Sequence, residues 1–115
     1  MNFKYENARM VNVVDGDTMD FLVDLGFHTT KKIRVRLKGI DTPEIFHPSH
    51  PSERVHGVGA REFVVRHYHG KNGTLITYKD RKGKYGRYLA EFWVDGVELS
   101  ENLKQNGFEK RVSYG

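Results

Sequence analysis

The feature that most constrains the fold of this chain is a short segment in which apolar and basic side chains alternate strictly. The apolar positions are Ile33, Val35 and Leu37, and the basic positions are Arg34, Arg36 and Lys38. Successive side chains of a strand point to opposite faces, so the segment 32–38 is predicted to be a β-strand with one apolar face and one basic face. The chain is therefore expected to build a sheet that covers a core on one side.

Other strands and helices are predicted on either side of this segment. Val11 and Val13 alternate with Asn12 before Asp15-Gly16, a turn dipeptide that leads into a strand at 18–25. Proline and glycine then interrupt residues 44–57, which are predicted to form a long loop. The remaining predicted elements are a helix from about 60 to 70, strands at 74–78 and 88–94, and a short helix from about 99 to 106.

This order of elements predicts an α+β fold that is mainly β. Five short strands with a helix between the third and the fourth are typical of a five-stranded OB-fold barrel, here followed by a short C-terminal helix. The chain has 115 residues, which suffices for one core, so a single domain over 1–115 is expected. The open face of such barrels commonly receives nucleic acid or sugar.

Composition narrows the classes of partner. Nineteen Lys and Arg against fifteen Asp and Glu give a net charge of +4, which favours a polyanionic partner such as nucleic acid. The absence of cysteine excludes disulfides and thiolate metal sites, so any metal is held by oxygen or imidazole. Neither a secretory signal nor a membrane span is visible, which is compatible with an intracellular protein or the mature form of a secreted one. We expect a monomer without a membrane partner.

Two acidic turns lie at the ends of predicted strands. Asp15-Gly16-Asp17-Thr18 joins the first two strands, and Asp41-Thr42-Pro43-Glu44 follows the third. Calcium takes several oxygen ligands, so the carboxylates of Asp17 and Asp41 beside a backbone carbonyl predict a site for a hard cation, with Ca²⁺ and Mg²⁺ as the leading candidates. Each turn is also explained by backbone geometry alone, because Asp-Gly favours a hairpin and Asp-Thr-Pro favours an Asx turn.

Two arginines are candidates for binding phosphate. Arg36 lies on the strand that leads to Asp41, and Arg87 ends the segment Lys84-Tyr85-Gly86-Arg87. A guanidinium holds phosphate oxygens in planar, two-pronged contacts, although a solvated surface charge is the alternative for each arginine. Arg36 and Asp41 are five positions apart and would face opposite sides of a straight strand. Their convergence requires a bend, which we expect at Gly39.

Three segments, in this order, resemble the staphylococcal nuclease (thermonuclease) family. They are VVDGDT, IRVRLKGIDTPE and KYGRYLAEF, and the resemblance covers nearly the whole chain. It implies an OB-fold barrel, Ca²⁺ as the cofactor, and hydrolysis of DNA and RNA, preferentially single-stranded, to products that end in 3′-phosphates. Members of the family usually continue into a further C-terminal helix, so we expect reduced stability or a reduced substrate wall in a chain that stops at Gly115.

The resemblance also implies metal ligands and catalytic residues. The implied ligands of Ca²⁺ are the carboxylates of Asp17 and Asp41 and the backbone carbonyl of Thr42. The implied catalytic residues are Glu44, which acts on the attacking water, and Arg36 and Arg87, which bind and stabilise the phosphate. In this division of labour the cation neutralises one phosphate oxygen, while the arginines take the charge that grows on the others.

Substrate-binding positions follow from the same resemblance. Lys84 and Tyr85 would lie near the terminal phosphate of a bound nucleotide, and Tyr114 would stack on a nucleobase. The rival hypothesis is a catalytically silent OB-fold module that binds single strands through basic and aromatic residues. Clustered acids argue against it, because they would repel phosphate unless a cation lies between them. The three histidines of the 44–57 loop fit no standard zinc spacing.

Overall fold

The computed structural model describes residues 2–79 and 88–115, in which the chain forms six strands and two helices. The elements are β1 (Asn2–Asp15), β2 (Thr18–Asp24), β3 (Thr30–Leu37), α1 (Pro51–Tyr68), β4 (Asn72–Tyr78), β5 (Tyr88–Val94), β6 (Val97–Glu98) and α2 (Leu99–Gln105). The predicted order of three strands, helix, two strands and helix is confirmed, and the two-residue β6 is an addition. Neither helix in the described part of the chain is long and apolar enough to cross a membrane.

A parallel pairing between β3 and β5 closes the sheet into a barrel. The strands follow the order β3-β2-β1-β4-β5-β6, and the pairing of β3 with β5 joins the two sides. In that pairing Arg36 lies opposite Leu89, and Leu37 lies opposite Ala90. The long β1 serves two neighbours, because its first half pairs with β4 and its second half pairs with β2. The OB-fold expectation is confirmed.

Apolar and polar side chains alternate along β3, so one face of this strand lies in the barrel core. Val35 and Leu37 are fully buried, whereas Arg34 between the neighbouring apolar positions is exposed. The rings of Phe21 and Phe92, from β2 and β5, meet at a centroid distance of 4.6 Å. A fully buried side chain of this kind contributes about 1.5–3 kcal/mol relative to an exposed one. The core therefore fixes the strand ends, where the acidic turns lie.

Helix α1 begins earlier than the sequence predicted, so the expected loop over 44–57 is wrong in its second half. The chain becomes helical at Pro51, directly after His50, whose ring Nδ1 accepts a hydrogen bond from the N–H of Ser52 at 3.0 Å. A proline in the first turn loses nothing, because its missing N–H would have had no partner within the helix. The proline that was interpreted as a loop breaker is a helix start.

One stripe of α1 packs on the barrel and on the loop before it. The buried positions of this stripe are Glu53, Gly57, Ala60, Val64 and Tyr68. They recur every three or four residues and so share one face of the helix. Gly57 was predicted to lie in a loop, but it lies within α1, where a Cβ would be 2.6 Å from the carbonyl oxygen of Pro43. This glycine therefore permits a close approach of the two backbones.

Candidate active site

The first acidic turn, between β1 and β2, is tied to the end of β3. The N–H of Asp17 donates to Oδ1 of Asp15 at 3.1 Å, and its carbonyl oxygen accepts the N–H of Leu37 at 2.8 Å. Asp17 is buried, and its Oδ2 accepts the N–H of Thr42 at 3.1 Å. The turn is therefore fixed against both β3 and the loop that follows it.

Arg36 brings the two predicted metal ligands together. Its Nη2 lies 3.7 Å from Oδ2 of Asp17 and forms an ion pair with Oδ1 of Asp41. Between Arg36 and Asp41 the chain turns at Gly39, whose φ of +87° lies in the left-handed region, so the expected bend is confirmed. The two carboxylates converge on one cationic nitrogen. We call Asp15, Asp17, Arg36 and Asp41 the acidic corner.

Asp15 also belongs to this corner, although the sequence predicted for it only a place in the turn. Burial, followed by the adjacent Asp17 carboxylate, raises the pKa of Asp15 to about 7. The charge of Glu44 acts in the same direction, which places Glu44 within electrostatic reach of the corner. Like charges that share a site disfavour one another's ionised form, and a cation among them would relieve that repulsion.

The oxygen atoms of the corner are of the chemical kind that hard cations bind. Within residues 2–79 and 88–115, no group of three or more His, Cys, Asp or Glu side chains is close enough to hold a metal. A cation here would rely on the carboxylates of Asp17 and Asp41, with the carbonyl of Thr42 and water completing its shell. Calcium accepts such a mixed shell of about 6–8 oxygens, and the shared contact with Arg36 demonstrates that the two carboxylates already face one positive charge.

Glu44 lies on the loop between β3 and α1 and its side chain is exposed. Its own N–H donates to Oε2 of Glu53 at 2.9 Å, and Glu53 is completely buried. Glu53 was not predicted as a site residue, because it falls within the loop predicted over 44–57. The signal that could have indicated it is Pro51. If α1 is taken to begin at this proline, Glu53 falls in the first turn of the helix, next to the loop that carries Glu44.

An open depression of about 460 Å³ adjoins the corner. Its lining includes Arg36 and Asp41 of the corner together with Lys110 and Arg111 from the segment after α2. The N–H of Lys110 also donates to the carbonyl oxygen of Asp41 at 2.8 Å, which ties this segment to the corner. The two cations were not predicted as site residues, since only the fold brings residues 110 and 111 next to residue 41.

The predicted substrate-binding residues have different outcomes. Lys84, Tyr85 and Arg87 lie outside the described residues. The hydroxyl of Tyr114 lies 2.7 Å from Nδ1 of His56 and accepts the N–H of Arg111 at 3.1 Å, so this side chain packs against α1. Tyr114 is absent from the described residues that line the depression, and its stacking on a base stays a prediction.

The fold and the corner define a class of protein: an OB-fold barrel that presents two converging carboxylates and an arginine beside an open depression. The family model described as "Staphylococcal nuclease homologue" matches residues 34–114. This chain belongs to the staphylococcal nuclease family.

Similar proteins span nearly the whole chain. The thermonuclease of Staphylococcus hyicus is 31% identical over 113 residues, which cover 98% of this chain and 63% of that protein. The thermonuclease of Staphylococcus intermedius is 31% identical over 109 residues, covering 95% and 61%. Endonuclease YncB of Bacillus subtilis (strain 168) is 31% identical over 111 residues, covering 96% and 50%. The chain thus spans half to somewhat under two thirds of the length of these relatives.

Proposed function

We propose that this protein is a Ca²⁺-dependent nuclease that hydrolyses phosphodiester bonds of DNA and RNA, preferentially in single strands, and acts as a monomer. The observation that carries the proposal is the convergence of Asp17 and Asp41 on Nη2 of Arg36, at the edge of the open depression. Membership of the staphylococcal nuclease family and relatives named thermonuclease and endonuclease support this reaction class.

The residues of the corner would bind and stabilise the reacting phosphate. Asp17, Asp41 and the carbonyl of Thr42 would hold Ca²⁺, which supplies positive charge to a phosphate oxygen and acidity to a bound water. Arg36 would hold other phosphate oxygens in two-pronged contacts, and Arg87 is proposed as the second arginine. Removal of one preorganised donor of this type typically lowers the rate by about 10²–10³.

Glu44 would act on the nucleophile. Its exposed carboxylate would accept a proton from the attacking water, while the water oxygen forms a bond to phosphorus and the bond to the 5′-oxygen breaks. The products would be a 3′-phosphate and a 5′-hydroxyl, the latter protonated from solvent. Lys84, Tyr85 and Tyr114 are proposed to bind the nucleotide on either side of the scissile bond.

A cleavage assay on denatured DNA in Ca²⁺, in Mg²⁺ and in chelator tests the proposal, with Asp17→Asn as the variant. We expect cleavage in Ca²⁺ and none in chelator. Magnesium should support cleavage poorly, because it demands octahedral geometry at about 2.0–2.1 Å and keeps its waters. Asp17→Asn should weaken Ca²⁺ binding and abolish cleavage but remain folded, because the asparagine oxygen still accepts the N–H of Thr42.

The matched control is Asp24→Asn at the exposed far end of β2, the strand that follows Asp17, and it should leave cleavage unchanged. Titration of labelled single strands completes the test, because binding in chelator should be weak when the acids face phosphate without a cation. Tight binding in chelator without cleavage in Ca²⁺ would overturn the proposal in favour of a catalytically silent single-strand-binding module.

A further inference from the structure

Glu53, in the first turn of α1, is a carboxylate buried beyond the reach of solvent. It lies outside the acidic corner, and the proposed mechanism assigns it no contact with substrate or cation. Burial of a charged group is unfavourable unless hydrogen bonds and opposite charges replace the lost water. The partners of Glu53 therefore indicate what the residue does.

These partners are donors that come from the loop of Glu44 and from the segment after α2. Oε2 accepts the N–H of Glu44 at 2.9 Å and lies 3.4 Å from Nζ of Lys110. Oε1 accepts both the N–H of Ser49 at 2.8 Å and its hydroxyl at 2.7 Å. The hydrogen bond from the Glu44 N–H, followed by those from Ser49, lowers the pKa of Glu53 to about 2. Glu53 is thus an anion that joins both ends of the 44–49 loop to the helix.

The loop also rests directly on α1. A Cβ at Gly57 would lie 2.6 Å from the carbonyl oxygen of Pro43, so the backbone just before Glu44 has little space to move toward the helix. Lys110 connects Glu53 to the chain before this loop, since its N–H donates to the carbonyl oxygen of Asp41. The backbone on which the Glu44 side chain is mounted is therefore held by hydrogen bonds and by steric contact.

We propose that Glu53 is a positioning residue for catalysis, whose buried carboxylate fixes the backbone of Glu44 and so directs the Glu44 carboxylate toward the acidic corner. This role rests on the proposed nuclease function and deepens it. A displacement of about 1 Å in a catalytic group can lower a rate by about 10²-fold, so a clamp on the Glu44 backbone has direct consequences for turnover.

Glutamine is a poor substitute for Glu53 despite its similar shape. An amide offers one acceptor oxygen, whereas its NH₂ group only donates. If the oxygen of glutamine faces Glu44, the NH₂ group faces the N–H of Ser49, and the opposite orientation places it against the N–H of Glu44 and the ammonium of Lys110. Either orientation leaves a backbone N–H of the loop without its acceptor.

The experiment compares the full chain with Glu53→Gln and with Glu62→Gln, an exposed change on the same helix, in Ca²⁺ on single-stranded DNA. We expect Glu53→Gln to lower kcat roughly 10- to 100-fold, with unchanged KM and unchanged Ca²⁺ affinity, and Glu62→Gln to have no effect. Amide hydrogen exchange should be slow at Glu44 in the full chain and faster in Glu53→Gln. Ser49→Ala, which removes only the hydroxyl bond, should lower kcat in the same direction by less and is suitable if Glu53→Gln does not fold.

A double-mutant cycle separates positioning from general stabilisation. If Glu53 acts through Glu44, then Glu53→Gln should cause no further loss of kcat in a Glu44→Gln background, because the group it positions is already absent. Equal losses in both backgrounds, or a parallel loss of Ca²⁺ affinity, would overturn the positioning role alone. If the unmutated chain is inactive, the proposed function and the positioning role are both overturned. Amide exchange at Glu44 would then show only whether Glu53 holds the loop backbone in solution.

Discussion

The two halves of the candidate active site are held in place by different interactions. The acidic corner is built into the barrel: Asp17 is bound by its backbone to Leu37, and Thr18 beside it lies opposite Arg36 in the pairing of β2 with β3. The 44–49 loop, in contrast, is held at both ends by the side chain of Glu53. The turn of Asp17 depends on the hydrogen bonds of a sheet, whereas the loop depends on hydrogen bonds to a buried carboxylate and on its contact with α1 at Gly57.

The two halves also contain carboxylates whose pKa values are shifted in opposite directions. Asp15 in the corner has its pKa raised to about 7, because burial and the charge of Asp17 disfavour its ionised form. Glu53 has its pKa lowered to about 2, because backbone and side-chain donors stabilise its anion. The number of donors aimed at a carboxylate, and not burial alone, decides the direction of its pKa shift.

The largest expected effect separates the chemistry of the loop from the binding of the corner. Glu44→Gln should lower kcat by about 10²–10⁴-fold, the range that general acid–base catalysis contributes, and should leave Ca²⁺ and nucleotide affinity unchanged. Steady-state kinetics and calorimetric titration with Ca²⁺ measure the two quantities. A loss of Ca²⁺ affinity in this variant would contradict the separation of roles, because Glu44 would then take part in binding the cation together with the acidic corner.

A smaller effect on kcat is expected from a substitution that moves the 44–49 loop away from α1. Gly57→Ala places a methyl group against the Pro43 carbonyl, and such overpacking costs about 1–3 kcal/mol of unfolding free energy. The same substitution at Gly59 meets only an ordinary contact with Phe108 at 3.4 Å and should stabilise the helix by about 0.4–1 kcal/mol.

Urea unfolding and kinetics on the two glycine variants give the measurement. Gly57→Ala should lower both stability and kcat, with a smaller change in Ca²⁺ affinity, whereas Gly59→Ala should lower neither. Equal behaviour of the two variants would contradict the close approach of the loop to α1 and would make the loop independent of the helix.

The smallest expected effect is a change with pH in the free energy of unfolding, caused by the ionisation of Glu53. Its pKa is lowered from 4.5 to about 2 on folding, so its ionised form stabilises the protein above pH 4.5. That contribution is lost as the pH falls toward 2. The difference in unfolding free energy between the unmutated chain and Glu53→Gln should therefore be greatest at neutral pH and shrink in acid. Urea unfolding at several pH values measures this difference, with Glu62→Gln as the control. A difference that stayed constant with pH would contradict the prediction.

Much of the barrel and half of the site could be predicted from the sequence. The period-two alternation of β3 places Val35 and Leu37 inside and Arg36 on the opposite face, because consecutive side chains of a strand point to opposite sides. The Asp-Gly turn follows from local backbone preference as well. The bend at Gly39 could be predicted because Arg36 and Asp41 cannot meet along a straight strand.

The tertiary structure decided the features that depend on distant residues. The start of α1 at Pro51 was misassigned, because proline and glycine are breakers in most contexts and only packing against Pro43 explains a glycine at 57. The β3–β5 pairing and the approach of Lys110 to the corner likewise join residues far apart in the chain.

Glu53 shows the difference between what the local sequence predicts and what only the folded chain determines. Its sequence neighbours are Ser52 and Arg54, which indicate a solvated segment, yet the residue is fully buried and ionised. A strand's periodicity is set by the covalent geometry of each residue and can be read locally. The burial of a carboxylate is favourable only where donors from positions 44, 49 and 110 meet, and that meeting exists only in the folded chain.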